Sequence, residues 1–324
     1  MKLQYIILIC ISCLLFGCAK EMITVPVQGE PVLWIAHLQE SDLSFVHVED
    51  EKVTSTGLDF SVSDMEQINN ETIILSSENE DFLYKLNSET GELTQWYEAG
   101  KGVNEIIYDS DKKLLFFSNR VENTVTAVDV ENGNLFGKVE VGDLPVSMTI
   151  NNEDRLLYVV NTESATISVI QMDDMKKEKE FATLKYPNGV FFDGEYLWIG
   201  GHGGDGILND QVYLYDPGTG EEADRIEVGL MPIAFHANYS KSEVYVLSHG
   251  ANRVYRINVE DRSVEQSIEV GANPHAITSD KQHIYVTSLD DHTLSIIDKE
   301  TLQLIKQIEM NEGPYKMMLG DDNG

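Results

Sequence analysis

The sequence predicts an all-β fold: a seven-bladed β-propeller with four antiparallel strands per blade, its ring closed by the C-terminal strand A joining the N-terminal B-C-D strands. Two repeating frames and one constant spacing carry that expectation. The first frame is an apolar-aromatic strand with a polar end, as in Trp34-Ile35-Ala36-His37, Phe116-Phe117-Ser118-Asn119, Tyr158-Val159-Val160-Asn161, Tyr245-Val246-Leu247-Ser248 and Tyr285-Val286-Thr287-Ser288. Ile74 and Trp198 open the two remaining copies. The second frame alternates apolar and polar residues (VTAVD, ISVIQ, VYLYD, VYRIN, LSIID) and ends at His47, Asn87, Asp129, Gln171, Asp216, Asn258 and Asp298. From the start of one frame to the end of the other is 13 residues in six of the seven copies.

The first frame supplies strand B and the second strand C. Strand A follows a G-x-x-P turn (VSMTI, HAITS), and strand D lies between (KVEVG, QSIEV). From Asp129, Gln171, Asp216, Asn258 and Asp298 to Pro145, Pro187, Pro232, Pro274 and Pro314 the interval is always 16. From the proline position to the next aromatic it is 13 or 11, and a difference of two keeps each side chain on its face. Asp-Gly, Asn-Asn-Glu-Asp and Glu-Thr-Gly stretches supply the turns. Seven B-C-D sets and seven A strands occur, but offset: the set at residues 32–62 has no A strand before it, and Pro314–Leu319 has no set after it. Pairing YKMML with VLWIA completes one composite blade and removes two exposed sheet edges.

The ends and the charge set the setting. Lys2 precedes an uncharged run from Leu3 to Phe16, too short to span a bilayer and closing in Leu15-Phe16-Gly17-Cys18. The formal net charge is −32, spread along the chain, which disfavours nucleic acid and anionic lipid as partners. The cysteines are Cys10, Cys13 and Cys18, so cleavage after residue 17 would leave one and no disulfide framework.

The blocks GDLPVSMTINNEDRLLYVVN, LLYVVNTESATISVI and VGANPHAITSDKQHIYVTSLDDHTLSIIDKETLQLIKQI resemble YVTN-family β-propeller repeats over residues 32–319. The resemblance implies the fold and fits secreted or surface-attached bacterial proteins; it assigns no activity. L-F-G-C likewise resembles the lipobox of bacterial lipoproteins, which implies cleavage before Cys18 and a palmitate-bearing anchor on its thiol. The expected organisation is a signal peptide over 1–17, a lipidated cysteine and short tether over 18–30, and a single propeller over 31–324. The expected location is the extracytoplasmic face of a bacterial cell membrane.

In such a ring the D–A turns and B–C loops share one face, the top, where blades converge on a channel mouth. The residue after the proline position should ring that mouth: Asp64, Asn104, Val146, Asn188, Ile233, His275 and Tyr315. Around it lie the ends of strand B, including Arg120, His202 and His249. Blade 5 departs from the common spacing, with 18 residues from Trp198 to Asp216. The surplus lies in GGHGGDGILND, an enlarged B–C loop carrying Asp205. It lacks the Gly-Lys-Ser/Thr and helix of a phosphate loop, and long loops in compact domains tend to be functional. The ligand-binding candidates are therefore Asn104, Arg120, Asn188, His202, Asp205, His249, His275 and Tyr315, with Cys18 as lipidation site. No catalytic residue, metal or cofactor is assigned. The chain reads as a membrane-anchored, monomeric propeller that binds a ligand or scaffolds an envelope protein, peptide or glycan. The rival reading is a metal-dependent lyase or lactonase-like enzyme acting at the top mouth through histidine and carboxylate.

Overall fold

The computed structural model of the chain describes residues 21–26, 31–238 and 240–320. They form seven antiparallel sheets around a common axis. The innermost strand A of blades 2 to 7 is Asp64–Asn69, Val103–Asp109, Pro145–Asn151, Pro187–Phe192, Pro232–Ala237 and Pro274–Ser279. Blade 1 is assembled from both ends of the chain: strand A, Pro314–Gly320, pairs with strand B, Val32–His37, placing Met318 opposite Trp34 and Lys316 opposite Ala36. The seam expected from the offset repeats is present.

Strand B sits between strands A and C, inside the stack of blades. Every residue of Val32–His37 and of Leu114–Asn119 is buried, so strand B reads as an apolar run and not as an alternation. Strand D is the outer edge and carries charge, as in Lys176–Ala182 (KKEKEFA), which blunts edge pairing. One apolar cluster fills the gap between each neighbouring pair of blades. Leu33 and Ile35 of blade 1, for example, pack on Tyr285, Leu294 and Ile296 of blade 7. The polar residue ending strand B is structural: the Nε2 of fully buried His37 lies 2.9 Å from Ser44 Oγ and its Nδ1 3.1 Å from Asn311 O. The Asn119 Oδ1 likewise accepts from the Val121 and Glu122 amides at 3.0 and 2.9 Å.

The top face has one repeating bond. The first amide after strand B donates to the carbonyl of the residue before the proline position: Leu38 to Gly313, Arg120 to Gly102, Thr162 to Leu144, His202 to Tyr186, His249 to Met231, and Leu289 to Asn273. All six acceptor residues are left-handed, with φ between 51° and 98°. Only two of them are glycines, so the turn holds Leu144, Tyr186, Met231 and Asn273 in a conformation that side chains seldom adopt.

Part of the segment expected as tether is tied down. Glu21–Met22 adds a fifth strand outside Glu92–Glu98 of blade 2, and Ile23 is buried in the cluster between blades 1 and 2. Gly91 permits this approach: its φ is +77°, and a Cβ there would lie 2.0 Å from the Ile23 carbonyl oxygen. Apolar Ile23 and Val25 thus pack on the rim within the segment read as a short tether. Residues 1–20, with Cys18 and the signal segment, lie outside the described residues.

Deleting residues 313–324 removes the seam strand. It should lower the melting temperature by ~10 °C or more, or cause aggregation by light scattering, because the buried edge of Val32–His37 opens. An unchanged melting temperature would contradict the closure.

Candidate functional site

The seven A strands start side by side around the axis and line a channel of about 760 Å³. Of the candidates read from sequence, Asn104, Arg120, Asn188, His275 and Tyr315 line it. His202 and His249 stand together at the rim, with ring centroids 5.1 Å apart. Asp205 does not join them. It is 73% exposed on the outer loop and pairs with Lys185 at 2.5 Å.

One mouth position needs correction. Asp64 pairs with Ser76, as Ser147 pairs with Val160 in blade 4 and Lys316 with Ala36 in blade 1. Val62 therefore holds the proline position and Ser63 the mouth position, while Asp64 lies one step deeper. The extra residue is absorbed by a register shift between Gln67 and Asn69. Each side chain reaches the next blade: Ser63 Oγ donates to Val103 O at 2.8 Å and Asn104 Nδ2 to Val146 O at 2.6 Å.

This shift creates a charged sector across blades 1 to 3. In the layer below the mouth, Lys316 Nζ lies 3.5 Å from Asp64 Oδ1, and Glu105 holds the equivalent place in blade 3. Glu66 lies deeper on the strand that carries Asp64. Burial pushes Glu66 up to about 8, with the Asp64 charge adding to the effect. Burial also raises Glu105 to about 7, opposed by Lys316. Burial works against the Lys316 charge, yet Asp64 and Glu105 more than offset it and raise its pKa. The carboxylates also tie neighbouring blades: Asp64 Oδ2 accepts from the Ile106 amide at 3.0 Å and Glu66 Oε1 from the Tyr108 amide at 3.3 Å. Glu105 Oε2 is buried without a partner. Above this layer Arg120 Nη1 donates to Glu78 Oε1 at 2.7 Å and to Asn104 Oδ1 at 3.3 Å.

The opposite sector, in blades 5 to 7, is polar without charge. At its boundary with blade 1, His275 packs on Tyr315 with ring centroids 4.0 Å apart and planes tilted by 33°, and its Nδ1 is buried without a partner. Burial, then the Lys316 charge, lowers His275 to about 3. Burial likewise lowers His202 and His249, so all three imidazoles are neutral at pH 7. Within the described residues, no group of three or more His, Cys, Asp or Glu side chains is arranged to hold a metal ion. That leaves the metal-dependent enzyme reading without a donor set of that kind.

The surplus loop of blade 5 folds outward. It runs from the end of strand B (Leu197–Gly201) to the start of strand C (Gln211–Tyr215). The Asn209 amide donates back to the His202 carbonyl at 3.0 Å, and Asn209 Nδ2 donates to Gln211 O at 2.7 Å. Gly203 has φ +83°, and a Cβ there would lie 2.4 Å from the Ile207 carbonyl oxygen. The tip exposes Ile207 and Leu208 beside an outer groove floored by Tyr213 and Tyr215. The loop thus presents His202 at the rim and carries Asp205 away from the channel.

Sequence reasoning missed Glu66, Glu105 and Lys316. A signal existed: at the equivalent position blades 5 to 7 carry Gly189, Ala234 and Ala276, whereas blades 1 to 3 carry Lys316, Asp64 and Glu105.

Comparison with known proteins gives the fold and little more. A family model described as "Lactonase, 7-bladed beta-propeller" matches residues 65–192, less than half of the chain. No curated protein matches. A functionally unknown protein from Desulfotomaculum acetoxidans DSM 771 is similar at TM-score 0.75 and 11% identity, over 89% of this chain and 98% of its own. Apo AztD from Citrobacter koseri is similar at TM-score 0.62 and 13% identity, over 89% and 97%. Dihydro-heme d1 dehydrogenase NirN is similar at TM-score 0.64 and 11% identity, over 90% of this chain and 67% of its own. At such identities the likeness is one of fold, the seven-bladed propeller.

Glu66 and Glu105 bind their protons more tightly in the folded chain than in the unfolded one. Their stabilising contribution is present at low pH and lost as pH rises through about 7 and 8. Glu66→Gln should therefore raise the melting temperature at pH 9 by ~2 °C or more relative to wild type. At pH 5, where Glu66 is already protonated, the two should differ little. A parallel pH dependence of the two proteins would contradict the assignment.

Proposed function

We propose that the chain is an extracytoplasmic, lipid-anchored propeller of the YVTN-repeat kind, whose channel mouth binds a small polar ligand. The single observation that carries this reading is the two-sided mouth. Arg120, Asn104 and Glu105 of blade 3 look across one enclosure to His275 of blade 7, whose ring packs on Tyr315 beside Lys316. Few and convergent polar groups over a ring face suit a ligand with both donors and acceptors. Glu105 Oε2 and His275 Nδ1, both unpartnered, are the groups such a ligand would satisfy. A sugar or hydroxy acid has that chemistry: hydroxyls for Glu105 and His275, a carboxylate or carbonyl for Arg120 and Lys316.

A second reading is lactone hydrolysis in the same enclosure. The family model over residues 65–192 favours it, as does Glu105, whose pKa of about 7 suits a general base at neutral pH. The product would be a hydroxy acid, so both readings use one pocket.

The anchor would set the orientation. Cys18 lies three residues before Glu21, at most about 11 Å of extended chain. With Glu21–Met22 paired to the outer strand of blade 2, the rim of that blade would face the bilayer.

Three experiments test this. Calorimetric titration with aldonic acids and their lactones should show binding that Arg120→Ala combined with Tyr315→Ala weakens at least tenfold; equal binding by the variant would overturn the site. Turnover of the lactone, lost in Glu105→Gln, would select the enzymatic reading. Labelling of expressing cells with radioactive palmitate should mark the chain and not its Cys18→Ser variant. An unlabelled wild-type chain would overturn the anchor.

A further inference from the structure

We infer that Met231, His249 and His202 at the rim of blades 5 and 6 form a binding site for a soft monovalent metal ion, copper(I) in particular. The site is distinct from the small-ligand enclosure proposed above and does not rest on it. His249 Nε2 lies 3.1 Å from the Met231 sulfur, and the His249 and His202 rings stand at 63° with centroids 5.1 Å apart. With metal–nitrogen bonds of about 2.0 Å and tetrahedral to trigonal angles, two imidazoles on one ion hold their centroids roughly 5 to 5.5 Å apart. The observed centroid separation falls in that interval, and the 3.1 Å nitrogen–sulfur distance opens to about 3.6 Å when an ion is bound at ~2.0 and ~2.3 Å.

The donors are held where they are needed. Met231 precedes Pro232 in the left-handed turn position, φ 56°, and its carbonyl accepts from the His249 amide at 3.0 Å. Its sulfur packs over Gly250, where a Cβ would lie 3.1 Å away. The His249 ring also bonds the Asn273 side chain, whose Nδ2 donates to Asp290 at 3.2 Å. A thioether carries no proton, so Nε2 donates in this contact, and an ion bound there takes the place of that proton. No hydrogen bond among the described residues engages the His202 ring, and the surplus loop pins its backbone through Asn209. All three side chains are half-buried, open to an incoming ion at the mouth.

Donor chemistry selects the ion. Two neutral imidazoles and a thioether, with no carboxylate among them, offer no charge to a hard divalent cation, whereas a soft ion takes sulfur and imidazole readily. His275 shares the sector but stacks on Tyr315, outside this set.

The test uses the full chain with Cys10, Cys13 and Cys18 blocked by iodoacetamide, so that thiols do not compete. Under anaerobic conditions it should retain one equivalent of copper(I) against bathocuproine disulfonate. Met231→Leu and His202→Ala should each weaken retention at least tenfold, while Met318→Leu, a methionine of the channel wall, should not. Near-UV circular dichroism checks that each variant is folded. X-ray absorption of the wild-type copper(I) complex provides a measurement independent of any variant, and should show nitrogen together with one sulfur neighbour. No retained copper(I), retention unaffected by Met231→Leu, or a shell without sulfur would each overturn the inference.

Discussion

The pairing of Pro314–Gly320 with Val32–His37 is the interaction on which the rest depends. A stack of seven twisted sheets has two free faces until its ends meet. Only when they meet do seven A strands face one axis. The seam also delivers Lys316, from the end of the chain, to Asp64 and Glu105 from its first third. Without that strand the channel would lose its cation, and its carboxylates would lack their nearest counter-charge. Fold closure and site chemistry are in this sense the same contact.

The carboxylates of the channel serve two ends. Adjacent A strands converge without forming a ladder, so their inward edges need other partners. Asp64 and Glu66 supply these by accepting amides of blade 3. Glu105 Oε2 and His275 Nδ1 are idle, on opposite walls of one enclosure, and buried polar atoms without partners cost about 1–3 kcal/mol each. This is the physical argument for a ligand there. The rim site differs in kind: its groups are neutral and soft, and blade 5's surplus residues position one of them.

The architecture was legible because a propeller repeats its turn lengths, and an interval of 13 kept by six blades leaves little freedom in strand assignment. Asn104, Asn188, His275 and Tyr315 fell at the mouth for the same reason. Asp64 did not, because blade 2 has an interval of 12 from Val62 to Ile74 where the other blades keep 13 or 11, and the irregularity that absorbs it is visible only in the pairing. Asp205 did not because a glycine-rich loop has no period from which to infer direction, and this one turns outward. Met231 carried no signal: the residues at its position in neighbouring blades are Leu144, Tyr186 and Asn273, with nothing in common but the turn. The docking of Ile23 on blade 2 was likewise hidden, since it depends on the space above Gly91 and not on any repeat.

Ring closure places Lys316 among the buried channel carboxyls. Carbon-13 NMR titration of the glutamate side-chain carboxyls measures this directly. Two carboxyls, Glu66 and Glu105, should titrate near pH 8 and 7, and Lys316→Met should move the Glu105 midpoint higher still. Every glutamate titrating in the ordinary range, with no response to Lys316→Met, would contradict the account.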